Sequence, residues 1–193
     1  MSKLRAEGYE VTGIDINEVR VSEASKWGSV IIANADKLPF QDKFFNLVSC
    51  LDVFHHMSNP WQTLAEIERV LTDEGIFYIG EVVEDNPVHA FLRKAFPYYD
   101  GDPVRAKFKK SQLIKRLEDN GFTVLVETTQ GGNIYWIFIL LVNRFNFLGR
   151  LSPMVIALDK QIDRVTGKYS CYYYAIACKK ETAGLINQAK TSP

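Results

Sequence analysis

Three aspartates stand where an apolar run gives way to a turn. Asp15 follows Glu10 to Ile14 (EVTGI), Asp36 follows Val30 to Ala33 (VIIA), and Asp52 follows Phe44 to Leu51 (FFNLVSCL). In a sheet wound by crossovers, ligands lie beyond the carboxyl ends of the strands, so acids at those positions can face one. A carboxylate at the first position can accept hydrogen bonds from both hydroxyls of a ribose. One at the second can accept from an exocyclic adenine amine. Asp15 and Asp36 together describe a nucleoside pocket, whereas any single one of the three acids is ordinary turn chemistry. His55 and His56 follow Asp52 in the loop DVFHHMSN. An imidazole, with an ordinary pKa of about 6.5, can take up a proton near neutrality.

The elements that must position these residues alternate between strand and helix. EVTGI reads as a short strand, followed by a helix capped by Asn17, with Val21, Ala24 and Trp27 on its apolar side and a left-handed Gly28 at its end. VIIA and FFNLVSCL read as buried strands of a parallel sheet. The next helix has Asn59 as cap, Pro60 at its first position and Gln62 placed to bond back. Its stripe is Leu64, Ile67, Val70 and Leu71; Gly75 closes it, and Ile76 to Val83 is the following strand. Connections too long for hairpins imply parallel pairing and a doubly wound α/β architecture. Later, Ser111 to Asn120 reads as an amphipathic helix closed by Gly121, and Thr123 to Glu127 and Ser170 to Lys180 as strands. Segments 88–110 and 133–165 read as lid or insert pieces on the side where an acceptor would enter. The expected organisation is one domain over 1–180 and a flexible tail over 181–193.

Composition narrows the partners. In 193 residues, 23 lysines and arginines balance 23 acids, which gives no basic excess for a polyanion, so no nucleic-acid partner is expected. Three cysteines, Cys50, Cys171 and Cys178, without a CxxC pair fit neither a disulfide scaffold nor a zinc site; no metal is expected, and a reducing cytoplasm is the expected compartment. The longest apolar run, Ile134 to Val142, is about half of what a spanning helix needs. No transmembrane segment is predicted, although 134–158 could rest on a membrane surface. Tyr98, Tyr99, Tyr135 and Trp136 could contact an acceptor, and His89 reads as surface.

Gly8 to Asn17 (GYEVTGIDIN), Ala33 to Cys50 (ANADKLPFQDKFFNLVSC) and His55 to Ile79 resemble, in order and spacing, the class I S-adenosylmethionine-dependent methyltransferases, in particular the small-molecule and lipid methyltransferases of type 11. The resemblance covers roughly the first 85 residues. It implies a Rossmann-like, mostly parallel sheet with an antiparallel C-terminal strand, and S-adenosylmethionine as cofactor. It also implies that Asp15 and Ile16 meet the ribose, that Asp36, Lys37 and Leu38 surround adenine, and that Cys50 and Leu51 pass near the methionine portion. His56 matches a position at which some members that methylate hydroxyl or amine groups hold a general base; the alternative is that the histidine pair only shapes its loop. The resemblance starts after the family's first strand and its glycine-rich loop, so the chain reads as truncated before that motif and as lacking the usual first strand.

The function implied is methyl transfer to a small-molecule or lipid-like acceptor. The alternative is an inactive methyltransferase-like binding or regulatory module without the glycine loop. A short-chain dehydrogenase reading fails because no tyrosine has a lysine four residues on. Where nucleic-acid methyltransferases carry an Asn/Asp-Pro-Pro-Tyr motif, Leu51 to Phe54 stand instead. The oligomeric state is left open.

Overall fold

The computed structural model describes residues 2–85, 108–130, 151–166 and 172–184, with the single positions 87 and 91. A short helix, α1 (Ser2–Ala6), precedes the parallel pair β1 (Thr12–Asp15) and β2 (Ser29–Ile32), whose register sets Asp15 opposite Ile32. The crossover between them is α2 (Glu18–Ala24) with a 3-10 turn over Ser25–Trp27. Asn17 caps α2 as expected: its Oδ1 accepts from the amides of Val19 and Arg20 at 2.9 and 3.1 Å, satisfying two donors that the first turn leaves open. Gly28 departs from expectation. The helix stops at Ala24, the 3-10 turn uses up the following residues, and Gly28 is extended at φ 163° rather than left-handed. With the chain already heading into β2, no reversal is needed there.

The remaining strands form a second sheet in the order β3-β4-β6-β5. These are β3 (Phe45–Leu51), β4 (Leu71–Val82), β5 (Phe122–Gln130) and β6 (Tyr172–Lys179). β3 and β4 are parallel, while β6 runs antiparallel to both β4 and β5. The fold is thus the expected mixed α/β type with an antiparallel C-terminal strand. Among the described residues its parallel pairs lie in separate sheets, so β1 and β3 each end a sheet without a strand between them. This explains a second departure. VIIA and FFNLVSCL are not buried throughout: Ile32, Phe44, Leu47 and Leu51 are exposed, and within β3 only Cys50 is fully buried.

One face of the larger sheet carries the core. Helix α3 (Pro60–Val70) begins as the sequence dictates, with Asn59 Oδ1 accepting from the Gln62 amide at 3.3 Å and Pro60 in the first turn. Thr63, Leu64, Ile67 and Val70 recur at helical spacing and are buried. Helix α4 (Lys110–Asp119) adds Leu113 and Leu117, and Gly121 closes it at φ +85°, the left-handed conformation glycine adopts without strain. Both helices seat side chains against Phe77, Ile79, Phe122, Tyr173, Ala175 and Ala177.

The end of α3 corrects the sequence reading. The helix stops at Val70, and Leu71 opens β4 opposite Phe45 before the register slips to Leu47 opposite Ile76. Gly75 lies inside this irregular stretch: a Cβ there would come within 2.8 Å of Leu71 Cδ2 and 2.9 Å of the Thr72 carbonyl. Helix α5 (Ser152–Thr166) occupies the end of the expected lid segment 133–165; residues 133–150, and most of 88–110, fall outside the described residues. Of the segment expected to be a tail, residues 181–184 are helical, Ala183 is buried, and the Thr182 hydroxyl donates to the Asp73 carbonyl; residues 185–193 are outside the described part.

Candidate active site

The sequence-derived acids lie at or shortly after strand ends. Asp15 is the last residue of β1, with Oδ1 accepting from the Asn17 amide at 2.8 Å and Oδ2 3.9 Å from Arg20. Its carboxylate is thereby aimed while 31% of its side chain stays exposed, enough to meet a hydroxyl pair. The neighbouring Ile16 is 71% exposed, an apolar side chain without cover at the mouth of the site.

Asp36 sits in the turn after β2. Its Oδ1 accepts from the buried hydroxyl of Thr63 at 2.7 Å, which ties this turn to α3. The same helix fixes the following residues through a charged clamp. The Leu38 amide donates to Glu66 Oε2 at 2.7 Å, and Arg69 donates to the carbonyls of Leu38 and Phe40 at 3.0 and 2.8 Å. Arg69 also binds both oxygens of Glu66, at 2.9 and 2.7 Å, and Asp42 at 2.8 Å. The Arg69 guanidinium, more than any other neighbour, holds the Glu66 carboxyl below its ordinary range. Leu38 is buried and Lys37 exposed, so the turn offers an apolar wall beside a carboxylate, suited to a base with an exocyclic amine.

At the end of β3 the two residues expected near the methionine portion diverge. Cys50 faces the core, where burial, reinforced by the Glu81 charge, pushes its thiol far up; it is a packing group and not a nucleophile. Leu51 faces the opposite side and is 47% exposed. Asp52 then takes φ +56°, held by its amide donating to the Gly80 carbonyl at 2.8 Å. At Gly80 a Cβ would lie 2.7 Å from the Tyr174 ring and 2.9 Å from the Leu51 side chain, so the site is closely packed around a glycine.

The histidines occupy a 3-10 turn, Phe54–His56, with ring centroids 3.9 Å apart. His55 is buried and its Nδ1 meets Glu81 Oε1; His56, the expected base, is half-buried. The structure therefore adds a residue that sequence reasoning missed. Glu81 is wholly buried on β4, and its Oε1 also accepts from the Val82 amide at 2.8 Å. The signal was present: strand alternation places Glu81 on the same face as Phe77 and Ile79. Tyr98, Tyr99, His89, Tyr135 and Trp136 lie outside the described residues. A cavity of about 370 Å³ between α3 and α4, lined by Trp61, Phe108 and Arg116, contains none of the residues above.

Acids after two adjacent parallel strands, with an antiparallel C-terminal strand in the other sheet, form a mixed α/β arrangement of the Rossmann-like kind found in methyltransferases that use S-adenosylmethionine. Residues 1–79 match the family model described as a methyltransferase domain. The chain is 30% identical to a demethylmenaquinone methyltransferase of Thermotoga maritima over 100 residues, 50% of this chain and 43% of the relative. It is 26% identical to a sterol 24-C-methyltransferase of Gibberella zeae over 175 residues, 75% of this chain and 46% of that protein. Among solved structures, the cyclase SpnF superposes with a TM-score of 0.62 at 22% identity, covering 92% of this chain and 69% of SpnF, a likeness of fold alone. The chain spans about half the length of the curated relatives it matches, or less.

The residues present fit the adenosine half of that cofactor. Two carboxylates and the apolar side chain of Leu38 match the donors of a ribose and the face of an adenine.

Proposed function

We propose that this chain transfers a methyl group from S-adenosylmethionine to a small-molecule or lipid-like acceptor. The observation that carries the reading is the placement of Asp15 at the end of β1 and Asp36 in the turn after the adjacent parallel β2, each with one oxygen fixed by the protein. When bound, the cofactor supplies an electrophilic methyl on sulfonium. Asp15 would hold the ribose, with Ile16 beside it, and Asp36, Lys37 and Leu38 the base. Leu51 is an exposed apolar contact for the remaining portion. The chain's contribution to rate is chiefly alignment of donor and acceptor. For a hydroxyl or amine acceptor, the His56 imidazole would accept the proton released as the bond to carbon forms. The names of the two curated relatives, a demethylmenaquinone and a sterol methyltransferase, support an apolar acceptor. None of the described helices is long and apolar enough to cross a membrane.

Calorimetric titration with S-adenosylmethionine, followed by transfer of labelled methyl to a panel of quinone and sterol acceptors, tests this reading. Asp15→Ala is expected to abolish measurable cofactor binding, and His56→Gln to lower turnover about a hundredfold while leaving cofactor affinity intact. Heatless titration of the folded chain to millimolar ligand would overturn the reading. The edges of β1 and β3, open among the described residues, favour a second reading, an inactive binding module, which predicts cofactor or partner binding without turnover on any acceptor.

A further inference from the structure

We propose that Asp52, His55 and Glu81 form a binding site for one divalent cation of the manganese or zinc type, a site that the sequence gives no reason to expect. One ligand atom from each residue lies within 4.8 Å of the other two, and His55 Nδ1 is 3.9 Å from Asp52 Oδ1. Proximity alone would describe any polar cluster. The independent observation is Glu81 Oε2. Its side chain is wholly buried, yet this oxygen has no hydrogen-bond partner among the described residues, while Oε1 is already engaged by Val82 and His55. A buried carboxylate oxygen left unpaired costs stability, more so when the group is charged. A proton shared between His55 and Oε1 would not relieve it, because Oε2 would still lack a hydrogen-bond partner among the described residues.

A dication bridging the three side chains resolves both features. Two carboxylates and one neutral imidazole carry a formal charge of about −2, which a dication neutralises; this oxygen-and-nitrogen donor set suits manganese and zinc over the soft metals. The protein has built the second layer as well: the Val82 amide orients the Glu81 carboxylate, and the Gly80 carbonyl holds the Asp52 backbone.

The test needs neither cofactor nor acceptor, so its failure is separate from failure of the methyl-transfer reading. Manganese(II) is titrated into the 193-residue chain and the free-ion electron paramagnetic resonance signal is followed, with zinc(II) as competitor. The expected result is one site, displaced by zinc. The bound ion should show nitrogen modulation in its spin echo, lost in His55→Gln. Glu81→Gln keeps the acceptor for the Val82 amide, and Asp52→Asn keeps a side chain that tolerates positive φ. Each should weaken binding by at least about tenfold. A far-UV melt confirms that each variant is folded at the assay temperature; should Glu81→Gln unfold, Asp52→Asn, with its exposed side chain, decides. Wild-type protein that leaves the manganese signal unchanged to millimolar ion overturns the proposal. So does binding that persists unaltered in Asp52→Asn and His55→Gln.

Discussion

Replacing Arg69 by methionine removes the clamp that holds the adenine-side turn, and its cost can be worked from the contacts. The guanidinium makes five hydrogen bonds, to the carbonyls of Leu38 and Phe40, to both oxygens of Glu66, and to Asp42. Asp42 is 74% exposed, so that bond contributes little. The two carbonyl bonds contribute about 1 kcal/mol each, and the forked pair with the half-buried Glu66 about 1 kcal/mol more after allowance for solvent. The sum is about 3 kcal/mol, which for a chain of this size lowers the melting temperature by roughly 6–12 °C. Asp36 precedes Leu38 by two residues, so a looser turn also costs cofactor affinity. Re-ordering it at about 1 kcal/mol corresponds to roughly fivefold weaker binding. Arg69→Lys should recover under half of the stability, because an ammonium cannot fork across Glu66 and still reach two carbonyls. Thermal unfolding by circular dichroism and calorimetric titration read the two quantities separately. A loss below about 1 kcal/mol in Arg69→Met, or full recovery in Arg69→Lys, would refute the reasoning.

The pH dependence of the same pair has a fixed sign. Arg69 depresses the folded-state pKa of Glu66, so the pair's stabilisation is present above the ordinary carboxylate pKa and disappears as pH falls through the folded value. The difference in melting temperature between wild type and Arg69→Met should therefore shrink below about pH 4, and a constant difference down to pH 2 would count against it. Gly80→Ala should destabilise by about 1–3 kcal/mol in denaturant titration, because the new methyl meets the Tyr174 ring and Leu51. Leu117→Ala, at a fully buried position of α4, should cost about 2–5 kcal/mol, against near-neutrality for Lys115→Ala on the same helix.

Much of this was readable in the residues. Asn17, Asn59, Pro60 and Gly121 punctuate helices by chemistry that is local, and each does in the structure what its type requires. Leu71 was not decidable: an apolar residue at helical spacing after Val70 serves a helix stripe or a strand equally well, and the pairing with Phe45 settles it. The exposure of β3 was hidden for a similar reason, since an apolar run shows that a strand wants burial but not which neighbour is there to provide it. At the site, Asp15 and Asp36 were legible from their position after strands. Adjacent histidines carry no sequence mark telling which turns inward; the carboxylate of Glu81, distant in sequence by 26 positions, selects His55 and leaves His56 nearer to solvent.

Among the described residues the outer edges of β1 and β3 are unpaired, and this bears on how the protein behaves in bulk. A parallel edge strand with Leu47 and Leu51 in solvent is a template for another extended chain, and no lysine or proline within Phe45–Leu51 discourages it. Self-association should therefore rise with concentration, and any ligand that binds only the separate chain should raise the concentration at which aggregates form. Colloidal behaviour thus becomes a sensitive indicator of whether those edges have been closed.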